Sequence, residues 1–300
     1  MSNFLQLLVY GIQLGSIYAL LAIGYSMVFG IIKMINMAHC DFLMMGCYIV
    51  YFFVSVLFGG ELAGPAIALL VVLVGSSIIG GVGVGIERIA YRPLRQQPTI
   101  MCMISAIGVS IFTQNLFRAL PFIGPTPRYF PTLIEDFPVR IGSVSISFTR
   151  IICIILAVII MLILWNVINR TKIGMQMRAV SNNKDAASLM GVNINRVISA
   201  TFFIGAFLAA VSGSFYATAY PVVQPTMAIT LGNKAFIAAV VGGIGDIRGA
   251  VLGGFVIGIT EILITSVWSA IAYGFCFLIL IVILLFKPEG LLGKPTTEKV

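Results

Sequence analysis

Charge is what this chain has least of. Asp, Glu, Lys and Arg make up 9% of its 300 residues, against 60% hydrophobic, whereas soluble domains carry about 25% charged residues. So few charges do not cover a water-facing surface, which excludes a soluble globular protein. Histidine is almost missing, with His39 the single example. A metal or acid–base role for it needs partners that Asp41 alone does not supply. The five cysteines, Cys40, Cys47, Cys102, Cys153 and Cys276, are scattered in or beside apolar segments without metal-ligand spacing. They read as small packing groups. No G-x-S-x-G, H-E-x-x-H or C-x-x-C string occurs, so no catalytic grouping is visible, and no metal or other cofactor is expected. The phosphate-cradling G-x-x-x-x-G-K-[ST] pattern is missing too. If ATP drives this protein, another chain binds it.

What is present is apolar sequence of membrane length. Mean hydropathy is +1.09, and a bilayer-crossing helix takes roughly 20 apolar residues. Runs fall near 10–32, 42–58, 66–86, 100–116, 150–168, 197–219, 228–245, 249–267 and 271–286. They predict an all-α polytopic membrane protein with about nine spans, eight to ten within the run boundaries, built as one integral domain over 1–300. The opening MSNFLQLLVYG has no cation ahead of its apolar run and reads as a retained first helix rather than a signal peptide.

The net charge of +8 fits cations on cytoplasmic loops, and no nucleic acid partner is expected. The loops 87–98, 170–196 and 246–248, the turn at Lys33 and the tail from 287 hold thirteen of the eighteen Lys and Arg. Arg118, Arg128, Arg140, Arg150 and Lys234 remain for the other side. The bias puts the first set in the cytoplasm, with the N-terminus outside and the C-terminus inside. The largest outside loop, 117–147, is rich in proline and aromatics, and reads either as a docking surface or as a linker packed on its own helices. Small residues spaced by four, as in Gly11/Gly15, Gly81/Gly85, Gly245/Gly249/Gly253 and Gly254/Gly258, predict close helix packing.

Two places put polar groups where apolar helix should continue. One is Lys33 to Asp41, with Asn36 and His39. The other is Asn233-Lys234, followed by Gly242, Gly245, Asp246, Arg248 and Gly249. Glu261 also lies deep in an apolar run. Ionisable groups cost about 2.5–3.5 kcal/mol each at the bilayer centre on insertion scales, so they face a cavity or a partner. One break in each half suggests a two-half repeat with interrupted helices along a translocation path. The plainer alternative is a solvated turn at the interface for 33–41 and a tight glycine turn for 245–249. Asp246 and Arg248 are close enough in sequence to pair locally.

The segment 170–196 breaks the pattern, with five cations and one acid between two strongly apolar runs. Ser181 or Asn183 can cap a short helix, Asp185 sits near its positive end, and Gly191 supplies a left-handed stop. About two turns of helix are marginal alone. They need support from their flanks or from a partner that receives Leu189 and Met190. A lipid-lying helix is the alternative.

Asp185-Ala186-Ala187-x-x-x-Gly191 resembles the E-A-A-x-x-x-G core of the cytoplasmic loop in ABC importer permeases, with Asp in place of Glu and no visible I-x-L-P beyond. Gly15-Ser-Ile-Tyr-Ala-Leu20, Gly30 to His39, Ile86-Glu87-Arg88-Ile-Ala-Tyr91-Arg92-Pro93, Ile104 to Gly108, Lys234-Ala-Phe236 and Gly242-Gly-Ile-Gly245 are similar to the branched-chain amino acid permeases of that class, particularly the H-type subunits. Cys40 stands where that family usually has Gly, and Asp246 and Arg248 stand in a motif that usually has a small residue and Pro. The resemblance implies a non-enzymatic, multi-pass subunit in a bacterial inner or plasma membrane. Such a subunit would import branched-chain amino acids with two ATP-binding subunits, a second, paralogous permease and an extracytoplasmic substrate-binding protein, and would itself contact membrane lipid. Asp185, Ala186, Ala187, Leu189, Met190 and Gly191 would carry coupling. The competing readings are the same machine for urea, amides or other amino acids, and a stand-alone channel or proton-coupled transporter using Asp41, Asp246 and Glu261.

Overall fold

A computed structural model describes residues 2–60, 64–141 and 144–293. Lys294 and Lys299, two of the thirteen cations assigned to the cytoplasmic side, lie outside the described residues. The long apolar runs form helices because lipid offers no partner to an unsatisfied backbone group, and a helix satisfies its own. The helices are α1 (Ser2–Ile32), α2 (His39–Phe52), α3 (Pro65–Ile86), α4 (Thr99–Ala119), α5 (Phe148–Arg170), α6 (Lys172–Asn182), α7 (Lys184–Leu189), α8 (Ile194–Ala219), α9 (Met227–Gly242) and α10 (Ile247–Phe286). Pro65 opens α3 at its first position, where a missing N–H costs nothing. Seven of the helices are long and apolar enough to cross a membrane, and α9, with 16 residues, is shorter. The 40 residues of α10 would run about 60 Å if straight, twice the hydrocarbon thickness. The chain departs from helical geometry at Trp268 (φ −151°, ψ 89°).

The helix ends fall into two groups. At one end four short strands lie on the helices. β1 (Arg128–Tyr129) pairs antiparallel with β4 (Val222–Val223), and β2 (Pro138–Ile141) with β3 (Val144–Ser147). The start of α1 meets them, Gln6 donating to the Ser145 carbonyl at 3.3 Å. At the opposite end the last turn of α1 meets α6, Ser181 donating to the Gly30 carbonyl at 2.7 Å. There the segment between α3 and α4 also meets the start of α8, Arg95 donating to the Asn195 side-chain oxygen at 2.9 Å. These are called the strand end and the coupling end below. The loop 117–147 divides its aromatics: Phe130 is fully buried, while Phe122, Tyr129 and Phe137 are exposed.

The core is built on α1 and α8. The most extensive pairings are α1 with α10, α9 with α10, α3 with α8, and α8 with α1 and α2. α1 and α10 run antiparallel through glycine: a Cβ added to Gly258 would sit 2.3 Å from the Gly15 nitrogen, and one on Gly254 2.5 Å from the Ala19 Cα. Gly81 and Gly85 break the expectation of close packing, since a Cβ at either meets nothing within 4 Å. Among the described residues nothing packs against this face of α3 at either glycine.

Candidate functional site

The first interruption lies between α1 and α2. Lys33 takes a left-handed conformation (φ 60°) and ends α1. The Asn36 side chain then nucleates the turn: its Oδ1 accepts from the Ala38 N–H at 3.1 Å and from the Tyr91 hydroxyl at 2.9 Å. Asn36, His39 and Asp41 are each about 1% exposed. A solvated turn therefore holds for the exposed Lys33 alone. His39 packs on Tyr25 (centroids 4.6 Å) and fills the space beside Gly24, where a Cβ would lie 2.4 Å from its Nε2. The Gln114 amide donates to Asp41 Oδ1 at 2.9 Å and to Ser110 Oγ at 3.1 Å. Asp41 Oδ2 has no hydrogen-bond partner among the described residues.

Beside this cluster lies a cavity of about 400 Å³, bounded by Tyr25, Cys40, Ser110, Gln114, Asn233, Phe236 and Phe277 among others. It has a few polar groups in a largely apolar wall, as small-molecule sites do. The structure thus brings Met37 and Cys40 of the first interruption and Asn233 to one cavity, while Asn36, His39 and Asp41 stand in the cluster beside it and do not line it.

Asn233 and Lys234 themselves do not interrupt a helix, contrary to expectation: α9 is continuous from Met227 to Gly242. Nor does Lys234 belong with the outer loop cations. Its Nζ donates to Glu261 Oε1 at 2.6 Å, and the Tyr18 hydroxyl donates to Glu261 Oε2 at 2.9 Å. α1, α9 and α10 are joined by this ion pair, which accounts for Glu261 in an apolar run.

The second interruption is elsewhere. Gly243 and Gly245 are left-handed (φ 110° and 98°) and turn the chain from α9 into α10 at the coupling end. Gly242 and Gly249 stack at this turn; a Cβ on Gly242 would lie 1.9 Å from the Gly249 carbonyl oxygen. Asp246 and Arg248 do not pair. The Asp246 carboxylate caps α10, accepting from the Arg248 N–H at 2.8 Å, and the Arg248 guanidinium stacks 4.3 Å over Trp165. Gly245 joins Gly30, Arg178 and Ser181 around a separate pocket of about 270 Å³. Gly242, Gly245, Asp246 and Gly249 are therefore not brought to the Asp41 cavity. The cavity residues that sequence reasoning missed are Tyr25, Ser110, Gln114 and Phe236. Gln114 carried a signal: an amide inside the apolar run 100–116.

The segment between α5 and α8 folds as short helices, each with its own cap. Thr171 caps α6, Asn183 caps α7 by accepting from the Ala186 N–H at 3.0 Å, and Asn193 caps α8. Gly191 is left-handed (φ 81°), so its lack of a Cβ is used here. Ala187 is buried and anchors α7, while Asp185 and Ala186 are exposed. Leu189 and Met190 are 89% and 84% exposed. Beside them Lys184 is held below its ordinary pKa range, first by partial burial and then by the charges of Arg95 and Lys33. Behind α7, Glu87 is fully buried, paired with Arg95 and accepting from Ser199 Oγ at 2.7 Å.

The family described as "Branched-chain amino acid transport system / permease component" matches residues 7–285. The chain belongs to this family. Over 99% of its length the permease is 39% identical to the high-affinity branched-chain amino acid transport system permease protein BraD of Pseudomonas aeruginosa, covering 98% of that protein. It is 40% identical to the LivH protein of the same description in Escherichia coli K12, with the same coverage. It is 28% identical to a probable branched-chain amino acid transport permease protein LivH of Methanocaldococcus jannaschii, over 93% of this chain and 89% of the other. No solved structure matches the permease. Among the described residues no three His, Cys, Asp or Glu side chains are grouped to hold a metal ion.

Proposed function

We propose that the chain is the membrane-spanning subunit of a bacterial ABC importer that moves leucine, isoleucine and valine inward. Two ATP-binding subunits drive it, a second, paralogous permease stands opposite, and an extracytoplasmic binding protein delivers the substrate. The names of its full-length relatives support the substrate class. The observation that carries the mechanism is α7: a capped helix held by Ala187 at its back that offers Leu189 and Met190 to a groove in another protein. An apolar pair so exposed at the end of a polar segment marks a contact surface. Movement of α7 reaches the membrane through α6, because Ser181 holds the Gly30 carbonyl one turn before the break that leads to Asn36 and Asp41. The Asp41–Gln114 cavity is then the wall that this chain contributes to the translocation path.

Counting α9 as a span and α10 as two, divided at Trp268, gives nine. The cation bias places the coupling end in the cytoplasm. An alkaline phosphatase fusion after residue 125 is expected to be active and one after residue 185 inactive; the reverse pattern refutes this orientation. Gly191→Trp strains the left-handed backbone that closes α7 and sets a bulky ring beside Leu189 and Met190. It is expected to abolish isoleucine uptake in cells while the protein inserts at normal levels. Normal uptake by that variant would rule out a docking role for α7.

A further inference from the structure

At the strand end a cavity of about 320 Å³ opens between Tyr10 of α1, the first turn of α5, the end of α8 and the segment 129–136. It is separate from the Asp41 cavity and holds one group of each charge. The Arg150 guanidinium lies 4.3 Å above the Tyr10 ring and 5.8 Å from that of Tyr220. Among the described residues it has neither an ion-pair nor a hydrogen-bond partner. The Asp136 carboxylate is fixed from one side only. Its Oδ1 accepts from Ser147 Oγ at 2.6 Å and from the Thr149 N–H at 3.3 Å, and its Oδ2 has no donor among the described residues. Asp136 is exposed at the cavity mouth; slight burial works against its ionisation, but the Ser147 and Thr149 bonds and the nearby Arg150 charge outweigh it, so the carboxyl is held below its usual range. The two groups are of opposite charge type, line the same cavity and do not close on each other. Leu133 and Ile134 supply an apolar wall.

We propose that this cavity is an entry site for a free aliphatic α-amino acid, with Arg150 taking its carboxylate, Asp136 its ammonium, and Leu133 and Ile134 its side chain. The inference rests on the transport reading above for its substrate class. The charges argue for a zwitterion. A simple anion would satisfy Arg150 and be repelled by Asp136, and a simple cation would do the reverse. Stacking on Tyr10 orients the flat guanidinium fork, whose paired N–H groups match a carboxylate. The volume is at the lower end of the range for small-molecule sites, about 300–1,000 Å³. An acidic side chain from a docked binding protein would meet Arg150 but set a second anion beside Asp136, so the free amino acid is the better match.

The test is binding of labelled isoleucine, up to millimolar concentration, to membranes holding the assembled importer without binding protein or ATP. Saturable binding is expected in the wild type. Arg150→Gln and Asp136→Asn should each raise Kd by about tenfold or more, as expected for loss of a charge-assisted bond. Arg150→Lys, which keeps the charge without the fork, should fall between. Isoleucine should compete, and isovalerate and isoamylamine, each with one of the two charges, should not. The site is overturned if the wild type binds nothing, if R150K, R150Q and D136N all bind like the wild type, or if isovalerate competes as well as isoleucine. It is equally overturned if R150Q loses the binding protein in co-purification while isoleucine binding is untouched. An importer that takes up no aliphatic amino acid at all refutes the transport reading and this site with it. Normal uptake together with unchanged binding in all three variants refutes the site alone.

Discussion

α1 and α5 are both long apolar helices, yet they occupy opposite environments. The membrane-length part of α1 has a mean hydropathy of 1.8 and is 89% buried by protein; that of α5 reaches 3.2 and is only 22% buried. The less hydrophobic helix is the one inside. α1 carries Gln13, Ser16, Tyr18 and Ser26, all buried, and glycines that admit α10. α5 carries Ile, Leu and Val through its middle and faces outward. In lipid no hydrophobic force drives helices together, so small residues and hydrogen bonds select the core and the most apolar faces are left to the bilayer or to another subunit. Hydropathy therefore finds helices here but does not rank their burial: α4, with a mean hydropathy of only 1.7, is 17% buried.

The sharpest way to break this contrast is to put bulk into the α1–α10 seam. Gly258→Leu drives a side chain into the Gly15 backbone. It is expected to abolish recovery of monodisperse protein in detergent, whereas Gly85→Leu, facing open space, should leave thermal stability within about 0.5 kcal/mol of wild type. Equal damage from the two would refute the assignment of core and outer faces. If G85L spoils only the assembled complex, the bare face of α3 is where another subunit sits.

The next effect is electrostatic. Glu261→Gln leaves the Lys234 ammonium without its partner between α1, α9 and α10. Breaking a buried pair from one side costs about 3–5 kcal/mol. A large fall in melting temperature is expected, with most of it recovered in the doubly neutral K234M/E261Q protein. If the double variant is no more stable than E261Q, the loss comes from packing and not from the stranded charge.

The smallest effect is at the rim, where Asp136 supports the first turn of α5. Its carboxyl is held below the usual range. Its stabilisation is therefore fully present above the ordinary carboxylate pKa of about 4 and is lost as pH falls through the lowered value. The melting-temperature gap between wild type and Asp136→Asn should close as pH drops from about 6 to about 3. A gap that stays constant would mean that the carboxylate charge contributes nothing there.

Much of this arrangement was legible in the amino-acid order, and what was legible was local. Asn183 and Gly191 delimit α7 through bonds and backbone angles within a few residues, so residue type alone identified the Gly191 stop and narrowed the cap to Ser181 or Asn183, of which Asn183 caps α7 while Ser181 holds the Gly30 carbonyl. Lys33 to Asp41 could be seen to interrupt helix for the same reason. The Gly81/Gly85 and Gly254/Gly258 pairs have the same spacing, and only tertiary placement separates the one that packs from the one that does not. Asn233-Lys234 misled because a charged pair in an apolar run looks like a break. The partner that permits unbroken helix, Glu261, is 27 residues away on another helix. Gln114 went unweighed because a single amide gives no pattern until Asp41 stands 2.9 Å from it.

The end of α9 carries one more consequence. The carbonyls of Val241 and Gly242 receive the N–H groups of Leu291 and Leu292 at 2.8 and 2.9 Å, and Gly290 fits against Gly243 where any Cβ would clash. Residues 290–292 leave the ribosome only after all of α10 has been made. During synthesis the turn that joins α9 to α10 therefore waits, with two carbonyls unpaired, until some fifty later residues have been threaded into place. The turn is thus a part of the fold closed by residues made after the helix it introduces.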